Sequence, residues 1–115
     1  MFRGEIWSVN LDPTIGSEIR KTRPAVIVSR DSIGILPLKI VVPITGWRDE
    51  FSQAAWLVPL ERDPQTGLVK KSAADALQVR SVSKERLVER LGQLDSGSME
   101  RIGAALALTL DIENL

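Results

Sequence analysis

The 115-residue chain contains no cysteine and no histidine, and aromatic residues make up only 4% of it. Without cysteine there is neither a disulfide nor a thiolate nucleophile, and without histidine no serine–histidine triad can be assembled. The two absences together remove both ligand types that zinc prefers. A harder cation would need clustered carboxylates, and Asp12, Asp31, Asp49, Glu50 and Asp75 show no ligand-like spacing. A metal-free protein without a cofactor is therefore expected. No glycine-rich phosphate loop is present, since Gly16 and Gly46 stand isolated. The start, "MFRGEIW", lacks the apolar run of a signal peptide, and the longest nearly apolar stretch, "IGAALALTLDI", is too short to span a bilayer. A cytoplasmic location with no membrane association is the expectation. Net charge is zero, which speaks against a generic polyanion binder.

What is present is ordinary for a soluble protein: 43% hydrophobic and 26% charged residues, enough for one domain over 1–115 with a modest core. Charge is unevenly placed. Residues 91–115 hold one base, Arg101, against Asp95, Glu100, Asp111 and Glu113, which leaves residues 1–90 mildly basic. Any contact with nucleic acid should then be local and shaped rather than a broad electrostatic footprint.

Along the chain there is no repeat, linker or low-complexity tract. "GEIWSVNL" reads as a strand and "DPTIG" as a turn. "AVIVS", with Arg23 held extended by Pro24, suits a buried strand. "LKIVVPIT", "AAWLVPL", "AADALQVRSVS" and "VERLGQL" complete six strands, with a helical turn at "KERL". Pro43 and Pro59 inside strands imply edges, bulges or bends. The C-terminal segment is helical: Ser96 or Ser98 can cap it, and Met99, Ile102, Leu106 and Leu110 fall on one face. Leu108, Ile112 and Leu115 lie off that stripe and offer a second apolar face, suited to another subunit. These elements predict a mainly β, barrel-like domain with a C-terminal helix against it.

Chemistry must come from carboxylate, hydroxyl, amide and guanidinium groups. One reaction suits that inventory: cleavage of RNA by its own 2′-hydroxyl, where the substrate supplies the nucleophile. Arg23 offers forked donors to phosphate oxygens at permanent full charge. Thr45 can donate a hydroxyl hydrogen bond to the same oxygens, and Glu18 can accept the proton. Arg20 and Lys21 suit phosphate contacts that position without reading sequence. Trp47 and Trp56 can stack on unpaired bases, whereas packing suits Trp7. Ser17 shapes the loop or contacts RNA. Arg80 and Arg86 can serve RNA or pair with local acids.

The stretch "RGEIWSVNLDPTIGSEIRKTRPAVIVS" resembles the amino-terminal signature of the MazF/PemK (Kid) toxin family, and "VVPIT" and "LQVRSVSKERL" follow at fitting distances. The resemblance covers nearly the whole chain. It implies an SH3-like barrel of the CcdB/MazF/Kid toxin fold with a C-terminal helix. It also implies a homodimer and a sequence-selective, metal-independent endoribonuclease (an mRNA interferase) that leaves 2′,3′-cyclic phosphate and 5′-hydroxyl ends on single-stranded RNA. On the matching positions Arg23 and Thr45 would be catalytic, Glu18 would support activity, and Gln78 would lie near bound RNA. A mobile loop over the site would run from about Thr14 to Thr22. A cognate MazE-like antitoxin is implied as the partner.

The chain departs from Kid-like members at Ser17, where they carry histidine. Asp75 and Leu77 stand where those members use arginine and aspartate. The general base therefore remains open between Glu18 and Arg23. Two other classes compete. A CcdB-like gyrase poison would need a Trp-Gly-Ile terminus, and this chain ends "DIENL". An inactive RNA- or partner-binding module would not need Arg23, Thr45 and Glu18.

Overall fold

The computed structural model describes residues 1–112. Seven strands form: β1 (Glu5–Asn10), β2 (Thr22–Ile27), β3 (Leu38–Gly46), β4 (Leu57–Leu60), β5 (Ser72–Asp75), β6 (Arg80–Ser83) and β7 (Leu87–Gln93). One helix, α1 (Ser96–Thr109), follows them. All pairings are antiparallel, in the order β4-β5-β3-β2-β1-β7, with β6 also on β3. The mainly β architecture with a terminal helix is as the sequence implies, although the sheet stays open instead of closing into a complete barrel.

There are seven strands where six were expected, because "AADALQVRSVS" does not run as one. β6 pairs with the first half of β3 (Leu38–Val41) and β5 with its second half (Ile44–Gly46). Opposite Val42 and Pro43 the chain leaves the ladder as a 3₁₀ turn, Ala76–Gln78. Two causes coincide there. Pro43 has no N–H to offer a ladder. Asp75 accepts from the Leu77 N–H at 3.1 Å, a local bond that competes with strand pairing.

Side chains alternate across the sheet and build two apolar clusters. On one side Val26, Val42, Ile44 and Ala74 pack with Met99, Ile102 and Ala105 of α1. On the other, Val9, Ala25, Ile27, Val41, Val82 and Leu87 form a smaller cluster with Leu11, and Ile19 packs against it. No helix joins that second cluster. The β1–β2 loop, through Leu11 and Ile19, contributes to it instead.

The helix is capped one residue before Ser96 and three before Ser98, the two expected caps. Asp95 is extended (φ −72°, ψ 163°) and accepts from the Ser98 N–H at 3.3 Å. Ser98 is buried, and its hydroxyl accepts from the Arg101 guanidinium at 3.0 Å. Met99 and Ile102 are buried as expected, but Leu110 is exposed because it caps the helix after its last turn. Leu108 and Ile112 are exposed, and Leu115 lies outside the described residues.

Glu5 is a buried carboxylate at the start of β1. Burial raises its pKa, but hydrogen bonds from the Phe2 N–H, the Trp7 indole and Arg90, with the amino terminus alongside, pull it down to about 2. A carboxyl depressed from 4.5 stabilises the fold above that pH and loses its contribution as pH falls through about 2. Glu5→Gln is expected to cost up to about 3 kcal/mol at neutral pH and to flatten the acid limb between pH 4.5 and 2. Urea unfolding across that range checks it; an unchanged acid limb would show that Glu5 is not its source.

Candidate functional site

The bulge at residues 76–78 and the β1–β2 loop enclose a cleft of about 490 Å³, lined by Ser17, Glu18, Ile19, Pro43, Leu77, Gln78, Val79 and Arg80. Pro43 forms part of it and pairs with Ala25 across β2 and β3. The β2–β3 ladder ends at this pair, and two residues further along each strand side-chain alternation puts Arg23 and Thr45 on the same sheet face as Ala25 and Pro43. Arg23 is exposed at the start of β2, and its Nε donates to the Arg20 carbonyl at 3.4 Å. Thr45 is half-buried and pairs with Ala73 of β5. The two stand beside the cleft, past Pro43.

Glu18 is exposed on the loop, and its Oε1 accepts from the Ile15 N–H at 2.8 Å. Among the described residues its Oε2 has no partner. Ser17, Arg20 and Lys21 are exposed as well. Lys21 adopts a positive φ of 69°, its N–H donates to Asp12 Oδ1 at 3.1 Å, and its carbonyl accepts from the Leu11 N–H at 2.9 Å. These bonds close the base of the loop.

Gln78 sits differently from a side chain free for RNA. Its Oε1 accepts from the Ile19 N–H at 2.5 Å and its Nε2 donates to the Ser17 carbonyl at 3.3 Å, so it ties the bulge to the loop. Trp47 is half-buried beyond the end of β3. The Phe51 ring meets it edge-on at 5.9 Å, and the Lys71 ammonium lies 4.7 Å from its centroid. It is built into a local cluster. Trp56 is exposed, and its carbonyl accepts from the Ala76 N–H at 3.0 Å at the foot of the bulge.

Asp75 is buried at the other end of the bulge. Burial lifts its carboxyl above the usual aspartate range, against hydrogen bonds from Leu77 and Gln78. The sequence drew attention to Asp75 as a carboxylate without ligand-like spacing and as a departure from Kid-like members; its capping role depends on the ladder breaking at Pro43. Arg80 and Arg86 were open between RNA and local acids; among the described residues they pair with no acid and bond backbone carbonyls instead. Arg80 donates to the Leu11 carbonyl at 3.0 Å, and Arg86 to the carbonyls of Asn10 (3.1 Å) and Asp12. No sequence signal marks a carbonyl as a guanidinium partner. Among the described residues no three acidic side chains gather as a cation site would need.

The architecture is that of solved bacterial ribonuclease toxins. MazF from Deinococcus radiodurans superposes with a TM-score of 0.81 at 20% identity, over 97% of both chains. An endoribonuclease from a Mycobacterial species, in complex with its cognate antitoxin, gives 0.75 at 21% identity over 100% of this chain and 99% of its own. In sequence, Endoribonuclease MazF9 of Mycobacterium tuberculosis is 36% identical over 97% of this chain and 98% of its own length. Endoribonuclease EndoA of Bacillus subtilis is 30% identical over 94% and 92%. The family of PemK-like, MazF-like toxins of type II toxin–antitoxin systems matches residues 2–110, and the chain belongs to it.

Proposed function

We propose that this chain is a sequence-selective endoribonuclease toxin that cleaves single-stranded RNA, messenger RNA in particular, by attack of the 2′-hydroxyl on the adjacent phosphorus. The observation that supports the reading is the Ala25–Pro43 pair at the cleft, beyond which Arg23 and Thr45 each follow two residues along β2 and β3. The 2′-oxygen bonds to phosphorus and gives its proton to Oε2 of Glu18. The P–O5′ bond breaks, and the 5′-oxygen leaves as a hydroxyl after taking a proton from solvent. Arg23 stabilises the charge that builds on the equatorial phosphate oxygens, and Thr45 donates to one of them. Arg20 and Lys21 hold flanking phosphates. Ser17 lies at the mouth of the cleft where the RNA enters. Gln78 meets the RNA only after letting go of Ile19. A single base stacks on Trp47 from the ring face opposite Lys71. Each step uses groups of the chain, its substrate and a solvent proton, which supports a reaction independent of metal.

A homodimer and a cytoplasmic site of action belong to the same reading. Its support is apolar surface exposed among the described residues: Leu108, Leu110 and Ile112 at and just after the end of α1, and Ile33, Ile35, Leu36, Leu38 and Ile40 along the β2–β3 connection and β3. A MazE-like antitoxin is the expected inhibitor, its disordered acidic tail folding over the basic loop. No described helix is long and apolar enough to cross a membrane.

The test is incubation of the pure protein with a long single-stranded RNA in excess EDTA, followed by analysis of the new ends. Expected are 2′,3′-cyclic phosphate and 5′-hydroxyl ends at a restricted set of sequences. Loss of cleavage in EDTA would overturn metal independence. Absence of cleavage from several unrelated RNAs, with or without divalent cations, would favour a binding module.

A further inference from the structure

The loop that carries Glu18, Arg20 and Lys21 is held by three side chains from one stretch of chain, the bulge, β6 and the turn before β7. At its root, β1 loses β7 as a partner after the Val9–Leu87 pair and stays paired with β2 on its other edge to Asn10–Thr22. There Arg86, just before β7, donates to the Asn10 and Asp12 carbonyls. Arg80, at the start of β6, donates to the Leu11 carbonyl between them at 3.0 Å. Three successive carbonyls are thus taken by two guanidiniums. Near the tip, Gln78 holds the Ile19 N–H and the Ser17 carbonyl. Both arginines are half-buried, whereas Arg20, Lys21 and Arg23 are exposed.

We infer that Arg80 and Arg86 are positioning residues for RNA cleavage: they fix the root of the β1–β2 loop while Gln78 holds it near the tip. The inference rests on the ribonuclease reading for its kinetic part only. It assigns two conspicuous cations on the site face to the protein's own backbone instead of to RNA phosphates. The planar guanidinium matters as much as the charge, because Arg86 reaches both carbonyls from its Nη1, whose two N–H donors are fixed in the guanidinium plane.

Phosphate contact and positioning leave different signatures. A residue that neutralises a phosphate on a single strand contributes about −0.7 to the slope of log K against log salt, and its loss weakens binding. A residue that holds the loop leaves that slope intact and lowers kcat, because misplacing a reacting group by about 1 Å costs up to about 100-fold.

The experiment uses Arg80→Met, Arg86→Met and Arg86→Lys in the full chain. Amide hydrogen exchange is followed at residues 15–21 and in α1, together with RNA cleavage and binding over a salt series. Positioning predicts at least about tenfold faster exchange in the loop, unchanged exchange in α1, kcat lowered about 10- to 100-fold and an unaltered salt slope. Arg86→Lys keeps the charge and loses the fork, so it should loosen the loop as well. Loop exchange equal to wild type in all three variants would overturn the inference. So would a salt slope reduced by about 0.7 per arginine with kcat preserved, which is the phosphate-contact result. Exchange is read on the free protein, so it decides the clasp even if the wild type cleaves no RNA. Failure of cleavage would count against the ribonuclease reading alone. If a methionine variant fails to fold, Arg86→Lys decides the outcome by the same two readouts.

Discussion

Arg23→Ala is expected to lower kcat for RNA cleavage by about 10² to 10³-fold while leaving the melting temperature within a few degrees of wild type. The magnitude is that of removing one preorganised donor aimed at charge which develops only in the transition state. The lack of a stability penalty follows from surroundings. Arg23 is exposed, its described bond is a single long contact to the Arg20 carbonyl at 3.4 Å, and its backbone pairing with Val9 does not depend on the side chain. Lysine at this position keeps the charge but loses the fork, and should recover only part of the rate. Single-turnover cleavage with circular dichroism melts checks both halves. A rate near wild type would remove Arg23 from the site, and a collapsed melt would make it structural.

The largest stability effect is expected at a residue without a side chain. Gly92 of β7 pairs with Ile6, and a Cβ there would press into the main chain of Gln65 and Thr66. The Gln65 carbonyl also accepts from the Gln93 N–H at 3.0 Å, so the turn cannot withdraw without losing that bond. Gly67, in the same turn at φ +77°, faces the Leu91 backbone equally closely. Backbone against backbone leaves no rotamer to adjust. Gly92→Ala should therefore cost about 3 kcal/mol, the upper end of overpacking, and lower the melting temperature by about 15 °C. Gly103→Ala is the control, since a Cβ in that helical position meets nothing within 4 Å. It should stabilise the fold by about 0.5–1 kcal/mol through helix propensity. Equal melts for wild type and Gly92→Ala would show that the turn at residues 63–68 shifts freely.

Much of the fold was legible because it depends on local pattern. Alternation in "GEIWSVN" and the apolar run in "LKIVVPIT" needed no tertiary knowledge, and β1 and β3 lie where they put them. The same holds for α1, whose buried Met99 and Ile102 follow from 3.6-residue spacing. The helix cap was misplaced by one to three residues, because Asp95, Ser96 and Ser98 are all competent caps and only the backbone angles choose among them. The break between β5 and β6 was not legible. Ala73 to Ser83 contains no glycine or proline, and the interruption comes from Pro43 on the neighbouring strand.

For the site, residue types and order sufficed to nominate Arg23, Thr45 and Glu18, since a chain without histidine, cysteine or clustered carboxylates leaves few other groups able to act on a phosphodiester. Sequence order also determined family membership through a run of near-contiguous motif residues. Which face Arg23 and Thr45 share was decided by strand register, a long-range property: both lie two residues beyond the Ala25–Pro43 pair. Tertiary structure alone turned Gln78, Arg80 and Arg86 toward the loop backbone, since those carbonyls and N–H groups lose their ladder partners where β1 ends. A side chain's chemistry is written in its type, but the unpaired backbone group it will satisfy exists only once the strands have stopped pairing.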